Sequence, residues 1–153
     1  MRKRTIARVL AVALGAALAL GALAGCQSPA TGATDQQQAN RTYMTKVNQA
    51  VEELNTRLGE FDEAVAQESV VNMRNKANSA FEAIDALAAI DTPDAMKDLQ
   101  TNYVAGCNKL KDALNSYIDL YTEISSATEE APFDFSAYDE RVKEIQDAYN
   151  EGI

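Results

Sequence analysis

The stretch MTKVNQAVEELNTRLGEFDEAV, residues 44–65, decides the fold. Its apolar residues Met44, Val47, Val51, Leu54, Leu58, Phe61 and Val65 lie 3-4-3-4-3-4 apart. Only a helix brings residues at that spacing onto one side, and an unbroken seam of this kind marks a helix packed lengthwise on others. The opposite side carries Glu52, Glu53, Arg57, Glu60 and Glu63, with Glu53 and Arg57 placed for a favourable i,i+4 pair. The chain is therefore expected to be organised around long amphipathic helices.

Downstream the seam breaks. Continuing it would place Glu68, Asn72 and Asn75 inside, whereas Val70, Met73, Ala77, Phe81, Ile84 and Leu87 begin a new phase. The jump predicts a turn at Gln67-Glu68-Ser69, with Ser69 capping the next helix. Gly59 is the competing end of the first helix, as a glycine C-cap, but Phe61 and Val65 still fit the first seam. At its start, Asp35 is expected as N-cap, with Gln38 reaching back. Asp91-Thr92-Pro93-Asp94 is the clearest boundary: Thr92 as N-cap, Pro93 at the first helical position, Asp94 at the positive helix end. A third helix, roughly 50 Å long at 1.5 Å per residue, then carries Met96, Leu99, Tyr103, Gly106 or Cys107, Leu110, Leu114, Tyr117, Tyr121 and Ile124. Residues 128–134 read as a loop stopped by Pro132, with Phe133 and Phe135 tucked into the bundle end. A fourth helix, capped by Ser136 or Asp134, repeats Phe135, Tyr138, Val142, Ile145 and Tyr149, pairs Asp139 with Lys143, and ends at Gly152. The expected boundaries are about 35–66, 69–90, 93–127 and 136–151. With no strand-like alternation and short connections, the fold class is all-α: a four-helix up-down-up-down antiparallel bundle. The short last helix should cover only the later half of the third.

Upstream, Arg2, Lys3, Arg4 and Arg8 form a positive start, Val9 to Leu20 is an apolar run, and Leu23-Ala24-Gly25 leads into Cys26. Charged start, apolar middle and small-residue cleavage site define a secretory signal. Leu23-Ala24-Gly25-Cys26 resembles the lipobox of bacterial lipoproteins. That resemblance implies diacylglycerol on the Cys26 thiol, cleavage just before Cys26, and acylation of the new amine. Two or three acyl chains, at about 0.8 kcal/mol per buried CH₂, anchor lastingly where one would not. An uncleaved membrane helix over the 17 residues 9–25 and ordinary cleavage after Ala22-Leu23-Ala24 are the competing readings. The segment 27–34, QSPATGAT, reads as a flexible tether with a root-mean-square span of roughly 15 Å.

Composition narrows function. Cleavage before Cys26 removes four of the 14 basic residues and none of the 23 acidic ones, leaving 128 residues with a net charge of −13. Such charge argues against nucleic acid as a partner and against a body lying flat on an anionic bilayer. It is suited to solvation. With Cys26 committed to lipid, Cys107 has no intramolecular partner, so no disulfide framework forms. The chain has no His, which removes His-ligated haem, the usual zinc sites, Glu-x-x-His di-iron bundles and Ser-His or Cys-His catalysis.

Few residues remain for chemistry. Cys107, beside Gly106, reads as a small buried hydrophobe, with an intermolecular disulfide as the alternative. Tyr103, Tyr117 and Tyr121 share one side of the third helix, where Tyr138 and Tyr149 can face them. They are expected as core, or as the lining of a ligand cavity between helices. Asn102, Asn108 and Asn115 are expected on the solvated face. Glu52-Glu53 and Asp62-Glu63 diverge by about 100° on a helix and make poor acid–base pairs. Glu129, Glu130 and Asp134 cluster in a loop and are a candidate for weak Ca²⁺ binding, though no calcium-loop spacing supports it. No catalytic residue, metal site or cofactor is expected beyond the covalent lipid.

The layout as a whole resembles a loose group of small lipoproteins from Gram-positive-type bacteria. The matching pieces are Leu23 to Cys26, Ala89-Ile90-Asp91-Thr92-Pro93, and Tyr138 to Gly152. The resemblance implies a lipid-anchored bundle on the extracytoplasmic face of the cell membrane and no assigned activity. Where an outer membrane exists, Gln27 after the Cys resembles a signal for sorting outward. The expected function is a non-enzymatic lipoprotein that presents helix faces to a protein or envelope partner. The alternative is a small-ligand-binding or sensing bundle with a tyrosine-lined cavity, for which a cavity above about 300 Å³ would speak.

Overall fold

A computed structural model describes residues 34–153. The signal and lipobox residues 1–25, Cys26 and the tether up to residue 33 lie outside the described residues. Four helices form an all-α antiparallel bundle, with no strand among the described residues: α1 (Asp35–Ala66), α2 (Val70–Ala88), α3 (Lys97–Ser126) and α4 (Tyr138–Gly152). A short 3-10 turn, Asp94–Met96, precedes α3. No helix among the described residues is long and apolar enough to cross a membrane.

α1 runs through Gly59 without interruption and ends at the phase jump. Gln67 and Glu68 donate backbone N–H bonds to the carbonyls of Glu63 and Val65 (3.1 and 3.0 Å). Glu68 takes the left-handed conformation, φ 56°, that lets the chain reverse. Ser69 then caps α2, its hydroxyl accepting from Asn72 N–H. At the start of α1 the cap is Thr34, not Asp35. Its hydroxyl accepts from Gln37 N–H at 3.3 Å, and Gln37 Oε1 accepts from Thr34 N–H at 3.1 Å. This one-residue shift leaves Asp35 in the first turn, where its charge meets the positive helix end.

The other two helices begin later than their sequence signals. Pro93 is extended (φ −58°, ψ 147°) and sits ahead of the 3-10 turn. The Thr92 hydroxyl donates back to the Ile90 carbonyl at 2.8 Å and caps nothing. The Asp94–Lys97 ion pair (2.6 Å) spans the 3-10 turn. Before α4, Asp134 Oδ1 accepts from Ser136 N–H at 2.8 Å, closing a local turn. Ala137 holds the cap position without a side-chain bond. Lys143 pairs with Asp147 (2.5 Å) rather than with Asp139.

α1 packs along α2, α3 along α4, and α2 along α3. α3 is central and buries Leu110, Ala113, Leu114, Tyr117, Ile118, Leu120, Tyr121 and Ile124. Exposed ion pairs bridge neighbouring helices: Arg74 with Asp119 (2.9 Å) and Lys111 with Asp85 (2.5 Å) between α2 and α3, Arg141 with Glu123 (2.6 Å) and Lys109 with Glu151 between α3 and α4. α4 meets α3 from Glu123 down to Gly106, where Gly152 is drawn in so closely that a Cβ there would lie 2.8 Å from Leu110 N. The first two turns of α3 have no α4 beside them. The bundle thus has a four-helix half and a half built from α1, the end of α2 and the start of α3.

Candidate functional site

Three regions carry polar or exposed chemistry. The first lies in the half without α4. Tyr43, fully buried, donates its hydroxyl to Gln100 Oε1 at 2.7 Å. Gln100 Nε2 donates to the carbonyls of Leu87 and Ala88 (2.9 and 3.3 Å). These carbonyls belong to the last turn of α2, where intrahelical donors run out. Gln100 therefore closes the end of α2 from α3, and Tyr43 of α1 orients the amide. Nothing local in the sequence announces this triad, because Tyr43 and Gln100 are 57 positions apart. The first turn of the α1 seam is displaced to match: Tyr43 is buried and Met44 only half-buried.

The second region is a half-open cavity of about 170 Å³ where α4 ends. Val51, Leu54 and Leu58 of α1, Leu87 of α2, and Tyr103, Cys107 and Leu110 of α3 form its walls. The exposed residues Asn102, Glu151 and Ile153 stand at its mouth. Burial pushes the Cys107 thiol up, against a smaller opposing pull from the Lys111 charge, so it stays protonated and weakly nucleophilic.

Of the tyrosines singled out from the sequence, Tyr103 alone lines this cavity. The others belong to the four-helix half. Tyr117 stacks edge-on against Phe61 (5.9 Å), and its hydroxyl is buried without a hydrogen-bond partner among the described residues. Burial raises its ionisation far above the phenol range, with the negative charges of neighbouring groups, Asp62 among them, adding to it. Tyr121 donates to the Glu68 carbonyl at 3.4 Å, tying α3 to the α1–α2 turn. Tyr149 is buried and raised chiefly by desolvation. Tyr138 is half-buried and meets Phe133 edge-on. Asn102 and Asn108 are exposed, while Asn115 is half-buried and accepts from Arg74 at 3.1 Å.

The third region is the far end of the four-helix half. Phe135 does not tuck in: it is 53% exposed, held edge-on against half-buried Phe133 at 4.8 Å. Val71, in the first turn of α2, is 71% exposed. From Asp112 to Glu140 the chain has eight acidic residues and no Lys or Arg. Among the described residues, α2 and α4 lend it cations through Arg74 and Arg141. Glu129, Glu130 and Asp134 lie exposed in the α3–α4 loop. Among the described residues no group of three Cys, Asp or Glu side chains is placed to hold a metal ion.

No family model matches the chain, and no curated protein or solved structure does either.

Proposed function

We propose that this chain is a lipid-anchored lipoprotein of the cell envelope, held through Cys26 on the extracytoplasmic face, and that it is not an enzyme. Its bundle serves as a docking body for a protein partner. The observation that carries the docking reading is the exposed Phe135, mounted on Phe133 and Tyr138 inside an acidic end. Large aromatic side chains anchor protein interfaces, and a ring half in water on an otherwise well-filled half of the core fits that use. The surrounding Glu129, Glu130 and Asp134 suit a partner with an apolar socket in a basic rim. The anchorage rests on the Leu23-Ala24-Gly25-Cys26 signal. The tyrosine-lined cavity of the alternative reading has little support, since Tyr117 is enclosed by core packing.

Lysine-directed cross-linking would pass over this end, because residues 112–140 contain no lysine. The test places a photo-cross-linking residue at Phe135, and separately at exposed Glu82, in cells that express the full chain. A discrete protein adduct from 135, absent from 82 and lost when Glu129 and Glu130 are changed to Lys, supports docking. Equal, diffuse adducts from both sites would overturn it. In the same cells, incorporation of labelled fatty acid that disappears with Cys26→Ser supports the anchor. Persistence of the label would refute it.

A further inference from the structure

We infer that the cavity at the end of α4 is a binding site for one small uncharged apolar molecule, about the size of a singly substituted benzene ring. The site is independent of the docking end and goes beyond that reading. Ligand sites are concave and mostly apolar, with a few polar groups at fixed places, and this half-open pocket has that make-up. It measures about 170 Å³ and is walled by Val51, Leu54, Leu58, Leu87 and Leu110. An engineered cavity of about 150 Å³ with similar aliphatic walls stays dry and admits benzene. Drug-sized pockets begin near 300 Å³, so a larger ligand does not fit.

The mouth adds selectivity. Glu151 stands there with its carboxylate paired to Lys109, and the aliphatic walls below offer no partner to a charged group, so an anionic ligand would lose its hydration without compensation. Tyr103 and Asn102 border the opening, where a single polar substituent on the ligand would meet them. The cavity has a structural cause. Gly152 approaches Leu110 and Gly106 so closely that α4 closes on α3 there, and beyond that point no fourth helix among the described residues covers the walls. α1 passes over the gap with Val51 and Asn55 only half-buried.

Cys107 in the wall reports occupancy. The experiment uses the full chain in lipid nanodiscs and N-ethylmaleimide, itself neutral and close to the cavity in size. Tryptic mapping reads the peptide from Asp98 to Lys109, which carries Cys107 and not Cys26. Because the thiol is largely protonated, alkylation of the native chain is expected to be slow and is followed at mildly alkaline pH, where free toluene at ten times its Kd should slow it roughly tenfold. Benzoate at the same concentration should not. Val51→Phe, which fills the cavity from α1, should abolish the toluene effect, and Asn55→Phe serves if that variant fails to fold. The inference is overturned if Cys107 of the native chain stays unreacted while the unfolded chain reacts. It is equally overturned if toluene gives no protection, or if benzoate protects as well as toluene.

Discussion

Tyr43 and Tyr117 are each 1% exposed, yet the bundle treats their hydroxyls in opposite ways. Tyr43 donates to Gln100, which in turn closes the last carbonyls of α2. The hydroxyl of Tyr117 finds no such partner among the described residues, and its ring packs edge-on against Phe61. The half without α4 holds itself together with a specific polar link and leaves room beside it. In the four-helix half the Tyr121–Glu68 bond is long, at 3.4 Å, and the buried interior is held mainly by filled volume. A polar link fixes geometry at one point and tolerates a void nearby, whereas a volume-filled core tolerates neither a void nor an extra atom.

That contrast can be broken by truncation. Phe61→Ala should destabilise by about 3–5 kcal/mol, as for other buried aromatic rings. Val51→Ala, at a half-buried wall that already borders empty space, should lose only about 1 kcal/mol. Urea denaturation of both variants checks this, and equal losses would mean that the two halves are packed alike.

Glycine substitutions sharpen the same point at smaller scale. A Cβ on Gly152 would lie 2.9 Å from Leu110 Cβ and 3.0 Å from the Gly106 carbonyl oxygen, so Gly152→Ala should push α4 off α3 at a cost of about 1–3 kcal/mol. Gly59 has nothing within 4 Å of that position, and Gly59→Ala should stabilise α1 by about 0.5–1 kcal/mol. Thermal melts of the pair should move in opposite directions.

The smallest expected effect concerns Asp62. Desolvation raises its carboxyl above the usual range. A group raised in the folded state favours folding while protonated and loses that contribution as pH rises through its folded value. Asp62→Asn should therefore melt slightly higher than the parent at neutral pH. The gain should vanish at pH values below the ordinary carboxylate range, where the parent is protonated in both states. The residue as a whole is exposed, which keeps the effect small. A constant gain at every pH would place its origin elsewhere.

Much of this architecture could be read from residues alone, for identifiable reasons. Val47, Leu54, Leu58, Phe61 and Val65 are large, apolar and periodic, and all are buried. The phase jump at Gln67 located the turn because two seams cannot share one helix. Ala80, Ala83 and Ala113 are just as buried but leave no mark in the pattern, since alanine is at home on either face. α3 and α4 start later than their signals imply, for the same reason twice: Thr92 and Asp134 each have the side chain of an N-cap, and each uses it on a nearby backbone group instead. Phe135 fitted the α4 repeat but precedes the helix, so the helical spacing did not apply to it. The Tyr43–Gln100 link and the cavity depend on where three helices end relative to one another, which no local window encodes.

The measurement that tests the account most directly is the stability of Tyr43→Phe and Tyr117→Phe, each removing one oxygen from an equally buried ring. Tyr43→Phe should destabilise by about 1–3 kcal/mol, because it strands the Gln100 carbonyl oxygen. Tyr117→Phe should be neutral or stabilising by about 1 kcal/mol, because it removes an unpaired buried hydroxyl. Opposite signs would establish that the two halves of one bundle are held by different means. Similar losses in both would contradict that, and would place a hydrogen-bond partner at Tyr117.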